Sequence, residues 1–511
     1  MAYTICFLAT IVVLVSFLTF GLLNVKKGQS YFNCDKQLNS REFRNSFAAA
    51  TTSLATVLFY FVVLGLNNGL WILIFSPLSL LVGTMLFNWL ILPQLVKQKY
   101  GVSNEVGISV GNTLGEYIKQ RYDSQPVKYV VLTITLLGIL SIMLIELFVG
   151  VTIFQIFMNN NPELAELAEF IGLVVISVVS FIYTGLGGLN AVVKTDKIQY
   201  WFMFFTALFL VLFLYINYTD SITKLTYDIF FPTFGGKNGL WNSNWPLFVN
   251  TICVNIFLIP ALLRNWQLIA ATKNGREIKK GMWSGWFLTF LITAMFLFFG
   301  LFFYHIFPMP SNGDDPSLYH ILTTMADSGD FILSNILFPF LFVACLMALL
   351  STVDSSLLPI VQSLVVDILP NDKSNYKGKI FEYYKRIYNH INLVCIIAIL
   401  FLTIFLYLIV FKLLKFELID WLFTIFSVVT ISSPAILVAC FGKDTILKTK
   451  LMQKTVIFST ILGLLIAGGI SLYGNYTHDT SLIQLNTPYA IFVTFICICI
   501  VYFYIKLSKK S

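Results

Sequence analysis

Thirteen apolar runs separated by short polar stretches dominate the chain, and their lengths set what it can be. They lie at about 3–24, 46–66, 70–96, 128–158, 165–185, 189–217, 245–270, 281–307, 331–367, 388–414, 419–441, 453–473 and 486–507. A helix rises 1.5 Å per residue, so about 20 apolar residues cross the ~30 Å hydrocarbon core of a bilayer. Backbone groups facing lipid must hydrogen-bond internally, which makes such runs helices, and the short alternating segments of a membrane β-barrel are not seen. The pattern therefore predicts an all-α integral membrane protein with 13 transmembrane helices. Runs 128–158 and 331–367 exceed an upright span and imply tilt or extension beyond the bilayer.

The polar stretches give the direction. No basic residue precedes the first run and no small-x-small cleavage site follows it, so it reads as a retained helix rather than a signal peptide. Lys26 and Lys27 come directly after it. With the N-terminus outside, 29 of the 33 Lys and Arg fall on inside segments, leaving only Lys224, Lys237, Lys412 and Lys415 outside. That bias fits the positive-inside rule and puts the C-terminus in the cytoplasm. The outer loops are acidic instead, with Glu163, Glu166 and Glu169 in one and Asp314, Asp315, Asp327 and Asp330 in another. The longest connections, about 97–127 and 218–244, are too short for a core of their own. A multi-pass protein of the cell membrane with no appended soluble domain is expected.

Composition narrows the function. Of 511 residues, 58% are hydrophobic and 11% charged, against about 25% charged in a soluble domain. A soluble enzyme, a nucleic-acid binder and a disordered scaffold are excluded. The eight Cys lie mostly inside apolar runs without a CxxC, and the four His are scattered. No HExxH, GxSxG or P-loop occurs, so neither an enzyme nor an organic cofactor is expected.

Polar residues inside the runs carry the candidate chemistry. In the ninth run, Ala348 to Ser356 read A-L-L-S-T-V-D-S-S. Ser351 and Ser355 share one helix face, as do Ala348 and Thr352. Hydroxyls and carbonyls with few fixed charges suit a hard monovalent cation, whose water they partly replace. Ser and Thr also bond back to their own helix or join two helices. Asp354 favours a site, because a carboxylate at membrane depth is costly without a partner. A second cluster runs from Tyr183 to Gln199. Its paired glycines predict a tight cytoplasmic turn. Asp196 then enters the next helix, either in a surface salt bridge with Lys194 or Lys197 or projecting into an inner vestibule that attracts a cation.

These two segments, Y-T-x-x-G-G-L-x-A-V-x-x-T-D-x-x-Q and A-x-x-S-T-x-D-S-x-L-L, resemble the sodium:solute symporter family, which includes proline, pantothenate, sialic acid and sodium–glucose symporters. The resemblance covers nearly the whole chain. It implies a leucine-transporter-type fold, a 5+5 inverted repeat in which the first helix of each repeat is broken at mid-membrane. The repeats would be 46–217 and 245–441, with 3–24 an extra N-terminal helix and 453–507 two peripheral helices. Pro260 interrupts the run 248–270, as a broken helix requires. The counterpart, 46–66, has no Pro but carries Thr51, Thr52, Ser53 and Thr56.

The resemblance also implies sites. A sodium ion would be held by the side chains of Ser351 and Thr352 and the carbonyls of Ala348, Ala55 and Leu58. Some members bind a second sodium ion, for which the matching positions are Asp196, Asp354 and Ser355. The Asp that proline carriers place in the first repeat helix falls at about Val57, and the family's Gln-Arg pair reads Gln267-Leu268. Proline specificity therefore does not carry over. Candidate solute contacts are Tyr60, Asn67, Glu146, Asn255, Ser427 and Thr430; Glu146, alone in a long apolar helix, binds a solute hydroxyl or amine, or pairs with a Lys or Arg. The implied function is sodium-coupled uptake of a small organic solute (sugar, amino acid or small carboxylate) by alternating access, with Na+ as coupling ion and no nucleic-acid or obligate protein partner. The alternatives are a sensor that keeps the fold without transport, and a proton-coupled carrier relaying through Asp196 or Asp354.

Overall fold

The computed structural model describes residues 2–23, 30–34, 37–54, 71–95, 113–158, 162–219, 245–307, 318–368, 394–409, 418–477 and 479–508. The principal helices are α1 (Ala2–Leu23), α2 (Ser40–Thr51), α3 (Trp71–Leu86), α4 (Gln125–Thr152), α5 (Pro162–Asn217), α6 (Trp245–Ala261), α7 (Leu263–Ala271), α8 (Gly275–Ile306), α9 (Phe338–Gln362), α10 (Leu418–Thr430), α11 (Ser433–Phe441), α12 (Lys450–Thr477) and α13 (Asn486–Ser508). Each apolar run is mainly helical in its described part; that of 388–414 is Val394–Tyr407. Among the described residues nine helices are long and apolar enough to cross a membrane, and α6 with α7 makes a tenth across a 43° bend.

Burial ranks the helices. In the apolar window of the stretch that contains α9, 89% of residues are buried, against 28% for α1 and for α13. So α9 is the central post and the terminal helices line the outside. It packs against α5, α4, α1, α2 and α7. The second half of the run 46–66, with Thr56, Val57 and the expected site residues Ala55, Leu58 and Tyr60, lies outside the described residues, as does Asn67.

Local chemistry sets the start of α2 and the end of α7. Asn39 caps α2 by accepting from the N–H groups of Arg41 and Glu42, and the Glu42 side chain accepts in return from the Asn39 N–H. This reciprocal box satisfies donors a helix start leaves open. Leu38 pairs with the end of α7: its N–H reaches the Ala271 carbonyl at 3.1 Å, and its carbonyl accepts from the Lys273 N–H at 3.1 Å. The start of α2 and the end of α7 are thereby held side by side.

Runs 165–185 and 189–217 meet in α5, where helical geometry fails only at Gly188 (φ 58°, ψ −159°). The expected paired-glycine turn narrows to this one residue, since a side chain there is strained whatever the space. A Cβ on Gly188 would lie 2.6 Å from the Tyr31 carbonyl oxygen. The Tyr31 hydroxyl donates to the carbonyls of Thr184 (3.1 Å) and Gly185 (3.0 Å), just before the break. Burial pushes the Tyr31 phenol well above its ordinary pKa, so it stays a donor.

Two basic residues, Lys128 and Arg121, tie distant parts of the chain together. Lys128, buried at the start of α4, reaches the Asp367 carbonyl at 2.6 Å and its carboxylate at 3.5 Å, while Thr113 donates to that carboxylate at 2.7 Å. Arg121 donates to the carbonyls of Ala439 (2.6 Å) and Gly442 (2.7 Å) and pairs with Asp444.

Gly188→Ala is expected to cost about 1–3 kcal/mol, the range for a residue forced into a glycine-only conformation. Gly185→Ala, whose added methyl would meet only the Ile396 side chain, should cost less. Thermal melts of the purified protein check this; a Gly188→Ala midpoint at or above wild type would contradict the assigned turn.

Candidate functional site

Two helices are interrupted within the helical bundle. Helix α2 ends at Thr51, and Thr52 leaves helical geometry (φ −94°, ψ 74°). Neither proline nor glycine is involved. The Thr51 hydroxyl donates to the carbonyls of Phe47 (2.9 Å) and Ala48 (3.1 Å), and that of Thr52 to Ala48 (2.8 Å). Hydroxyls that take over helix carbonyls loosen the ladder. Just past the break, the Leu54 N–H donates to Oε2 of Glu146 at 3.0 Å, and Glu146 is 1% exposed. A carboxylate from α4 thus supplies the acceptor the broken backbone lacks.

The second interruption lies between α6 and α7. Pro260 does not itself end the helix: α6 runs to Ala261 and the backbone turns extended at Leu262 (φ −71°, ψ 112°). Two side chains from α7 reach back to carbonyls at the end of α6, Asn265 to Ile259 (2.9 Å) and Trp266 to Pro260 (2.8 Å). Helix ends buried in this way need such partners.

A cavity of about 180 Å3 lies against both breaks, with Ser53, Glu146, Asn255, Arg264, Thr352 and Ser355 among its polar walls and mostly apolar side chains elsewhere. The Asn255 amide donates to the Ser76 carbonyl (3.1 Å) and the Ser79 hydroxyl (3.0 Å), fixing α6 to α3. Of the expected solute contacts, Glu146 and Asn255 line this space. Ser427 and Thr430 do not: both are buried and donate to carbonyls of their own helix, Thr424 and Phe426, each at 2.7 Å. Helix α10 presents Ile425 and Phe426 to the cavity instead.

On α9, Ala348, Ser351 and Thr352 are all buried. Ser351 Oγ donates to Asp196 Oδ1 at 2.9 Å, and Thr352 Oγ1 to the Ala348 carbonyl at 3.1 Å. Each hydroxyl has spent its one proton and keeps its lone pairs, the condition for facing a cation. Asp196 is fully buried, and its salt bridge is to Arg264 of α7. It is therefore no surface group paired with Lys194 or Lys197. Asp196 Oδ2 accepts from Ser46 Oγ of α2 at 2.5 Å and from Arg264 Nη2 at 2.7 Å. The same Nη2 lies 2.7 Å from both the carbonyl and the hydroxyl oxygen of Ser46.

Asp354 is placed differently from Asp196. Thr184 donates to its Oδ1 at 3.2 Å, and Oδ2 has no partner among the described residues. Ser355 donates to the Thr352 carbonyl at 3.1 Å. Among the described residues no hydrogen bond joins Asp354 to Asp196 or to Ser355. Nor do these residues hold a His, Cys, Asp and Glu group suited to a transition metal.

Arg264, which lines the cavity and pairs with Asp196, is the residue that sequence reasoning passes over. It counts there as one more inside basic residue, although it stands within the apolar run 245–270, where a charge needs a partner.

Comparison with known proteins follows from this geometry. A sequence profile described as the sodium:solute symporter family matches residues 42–445. No curated protein sequence matches. Among solved structures, the chain is similar to a Na+-coupled sialic acid symporter in a substrate-bound outward-open state, at 17% identity over 98% of this chain and 97% of that one, with a TM-score of 0.74. It is similar to MhsT in complex with L-phenylalanine at 14% identity, over 92% and 99% of the two chains, with a TM-score of 0.53. For the manganese transporter of Eremococcus coleocola the figures are 13%, 94%, 96% and 0.54. These likenesses show a common helical transporter fold.

Glu146→Ala leaves the Leu54 N–H unpaired in a buried break, and a loss of about 1–3 kcal/mol is expected. Glu146→Gln keeps an acceptor oxygen and should melt closer to wild type. Equal melting of the two variants would show that the carboxylate does not hold the break.

Proposed function

The chain belongs to the sodium:solute symporter family, and from that premise we propose that it couples inward sodium movement to the uptake of a small organic solute across the cell membrane. The observation that carries the reading is the pair of buried hydroxyls on α9, Ser351 and Thr352, on a helix that packs against α2, with Thr352 lining the same cavity as Thr51 and Ser53 at the break. In our reading, the chain crosses the membrane with 13 helices, N-terminus outside. The inverted repeats are 46–217 and 245–441, with 3–24 and 453–507 peripheral. The breaks after Thr51 and at Leu262 fall in the first helix of each repeat, as that arrangement requires.

The proposed sodium site takes the hydroxyl oxygens of Ser351 and Thr352 and the carbonyls of Ala348, Ala55 and Leu58. All five ligands are uncharged, so the ion is held by dipoles alone and can leave again, as conduction and release demand. Sodium bridges α2 and α9, favours the form open to the outside, and so prepares the cavity for solute. Solute binding then permits the swing to the inside, where both dissociate. One charge moving through 100 mV yields roughly 2.3 kcal/mol, and a tenfold ion gradient roughly 1.4 kcal/mol. Together they sustain a solute gradient of roughly 500-fold.

The cavity suits a solute with an apolar body and a few polar groups, for which Glu146 and Asn255 are the proposed contacts. We place one sodium ion. Of the three positions for a second, Asp196 is already paired with Arg264, and Asp354 and Ser355 make no bond to it. A second reading, proton coupling, has one observation in its favour: Asp354 is buried with one oxygen unpartnered among the described residues.

Uptake of labelled amino acids, sugars and small carboxylates into proteoliposomes, with sodium exchanged for choline at fixed pH, separates the readings. Sodium dependence is expected; uptake driven by acid and indifferent to sodium would favour the proton reading. Replacing both hydroxyls (Ser351→Ala with Thr352→Ala) should raise the sodium requirement at least about tenfold, equivalent to about 1.4 kcal/mol. An unchanged sodium requirement would remove these residues from the site.

A further inference from the structure

We propose that the Arg264 guanidinium is a built-in cation that fills the place a second sodium ion would take beside Asp196, so that the chain moves one sodium ion per solute. The stoichiometry rests on the symport reading above; the binding test below does not.

Three oxygens crowd one nitrogen. Arg264 Nη2 lies 2.7 Å from Asp196 Oδ2, 2.7 Å from Ser46 Oγ and 2.7 Å from the Ser46 carbonyl. A carboxylate, a hydroxyl and a carbonyl converging from two helices form a donor set of the kind a hard cation takes. Here the position at their focus is taken by a covalently attached positive charge. Arginine stays charged under all ordinary conditions, so the occupant cannot be lost to a proton or exchanged for an ion. Without it, Asp196 would be a fully buried carboxylate with two hydroxyl donors but no counter-charge, and such a group must import a cation or a proton. With it, the pair is neutral, and a sodium ion at Asp196 would be opposed by the guanidinium at the same oxygen.

The location makes this occupant consequential. Ser46 belongs to α2, Arg264 to α7 and Asp196 to α5, and Ser351 of α9 bonds the other Asp196 oxygen at 2.9 Å. A single fixed charge therefore ties the inner halves of both broken helices to α5 and α9, beside the hydroxyl proposed to hold the transported sodium. An exchangeable ion at that junction would add its own charge to each cycle. A tethered one stays with α7.

The test uses the purified full chain in detergent, with sodium titrated against choline at constant ionic strength and melting as the readout, since a ligand that binds the native state raises its midpoint. The variants are Arg264→Gln, Arg264→Lys and the double substitution Arg264→Gln with Asp196→Asn. Arg264→Gln is expected to gain a sodium-dependent stabilisation beyond that of wild type. Arg264→Lys should behave as wild type, and the double variant should lose the gain. No added sodium response in folded Arg264→Gln, or one that persists without the Asp196 carboxylate, overturns the proposal. Should Arg264→Gln not fold, the wild-type ratio of charge to neutral solute in proteoliposomes decides: one supports the proposal and two or more overturns it. If sodium affects neither melting nor uptake of wild type, the symport reading fails, while the sodium response of Arg264→Gln still decides this one.

Discussion

A helix broken at membrane depth exposes N–H and C=O groups that lipid cannot satisfy, and this constraint orders the centre of the molecule. Each break is bonded by side chains from elsewhere. At the end of α2 the threonine hydroxyls turn back onto the carbonyls of Phe47 and Ala48 in the preceding turn, and Glu146 accepts from the Leu54 N–H on the far side. At the end of α6, Asn265 and Trp266 reach back to Ile259 and Pro260. The breaks are therefore fixed places at which backbone oxygens can face a cavity rather than a neighbouring turn.

Buried charge follows the same rule. Lys128 meets Asp367, and Arg264 meets Asp196. A buried pair of this kind is weak evidence for stability, because desolvation offsets much of the attraction, but breaking it is costly. Its usual value is specificity of arrangement. The Arg264–Asp196 pair joins helices from both breaks to α5 and α9, so a movement of α2 and α7 relative to those two helices must carry, stretch or exchange this contact.

The sequence makes the fold class readable because a run of about 20 apolar residues has one solution in lipid. The apolar runs are mainly helical where described, and the Ser351–Thr352 pair lies buried on the helix that packs against α2. The break itself is not readable: residues 51–54 contain neither proline nor glycine, and the acceptor for Leu54 stands 92 positions away. Asp196 misleads for a similar reason. Its sequence neighbours Lys194 and Lys197 suggest a surface pair, whereas its partner is 68 positions further on. Ser427 and Thr430 look like lining residues because their polarity is visible and their back-bonding is not. Arg264 is hidden by the counting rule that treats every basic residue as a loop charge.

The turn at Gly188 connects these strands. Thr184 lies before it and Asp196 after it, and both touch α9, at Asp354 and Ser351 respectively. The two contacts sit within one turn of α9, so the angle taken at Gly188 decides whether both can be made together. Ser351 has one proton to give. By giving it to Asp196, whose charge Arg264 already balances, it turns its lone pairs away from the carboxylate. The ion pair thus orients the Ser351 hydroxyl, a neutral ligand in the proposed site, without adding net charge beside it. A bare carboxylate at that distance would hold sodium more tightly and release it more slowly. In the proposed sodium site, a fixed arginine removes that excess attraction, and the grip of the remaining oxygens depends on how closely α2 approaches α9.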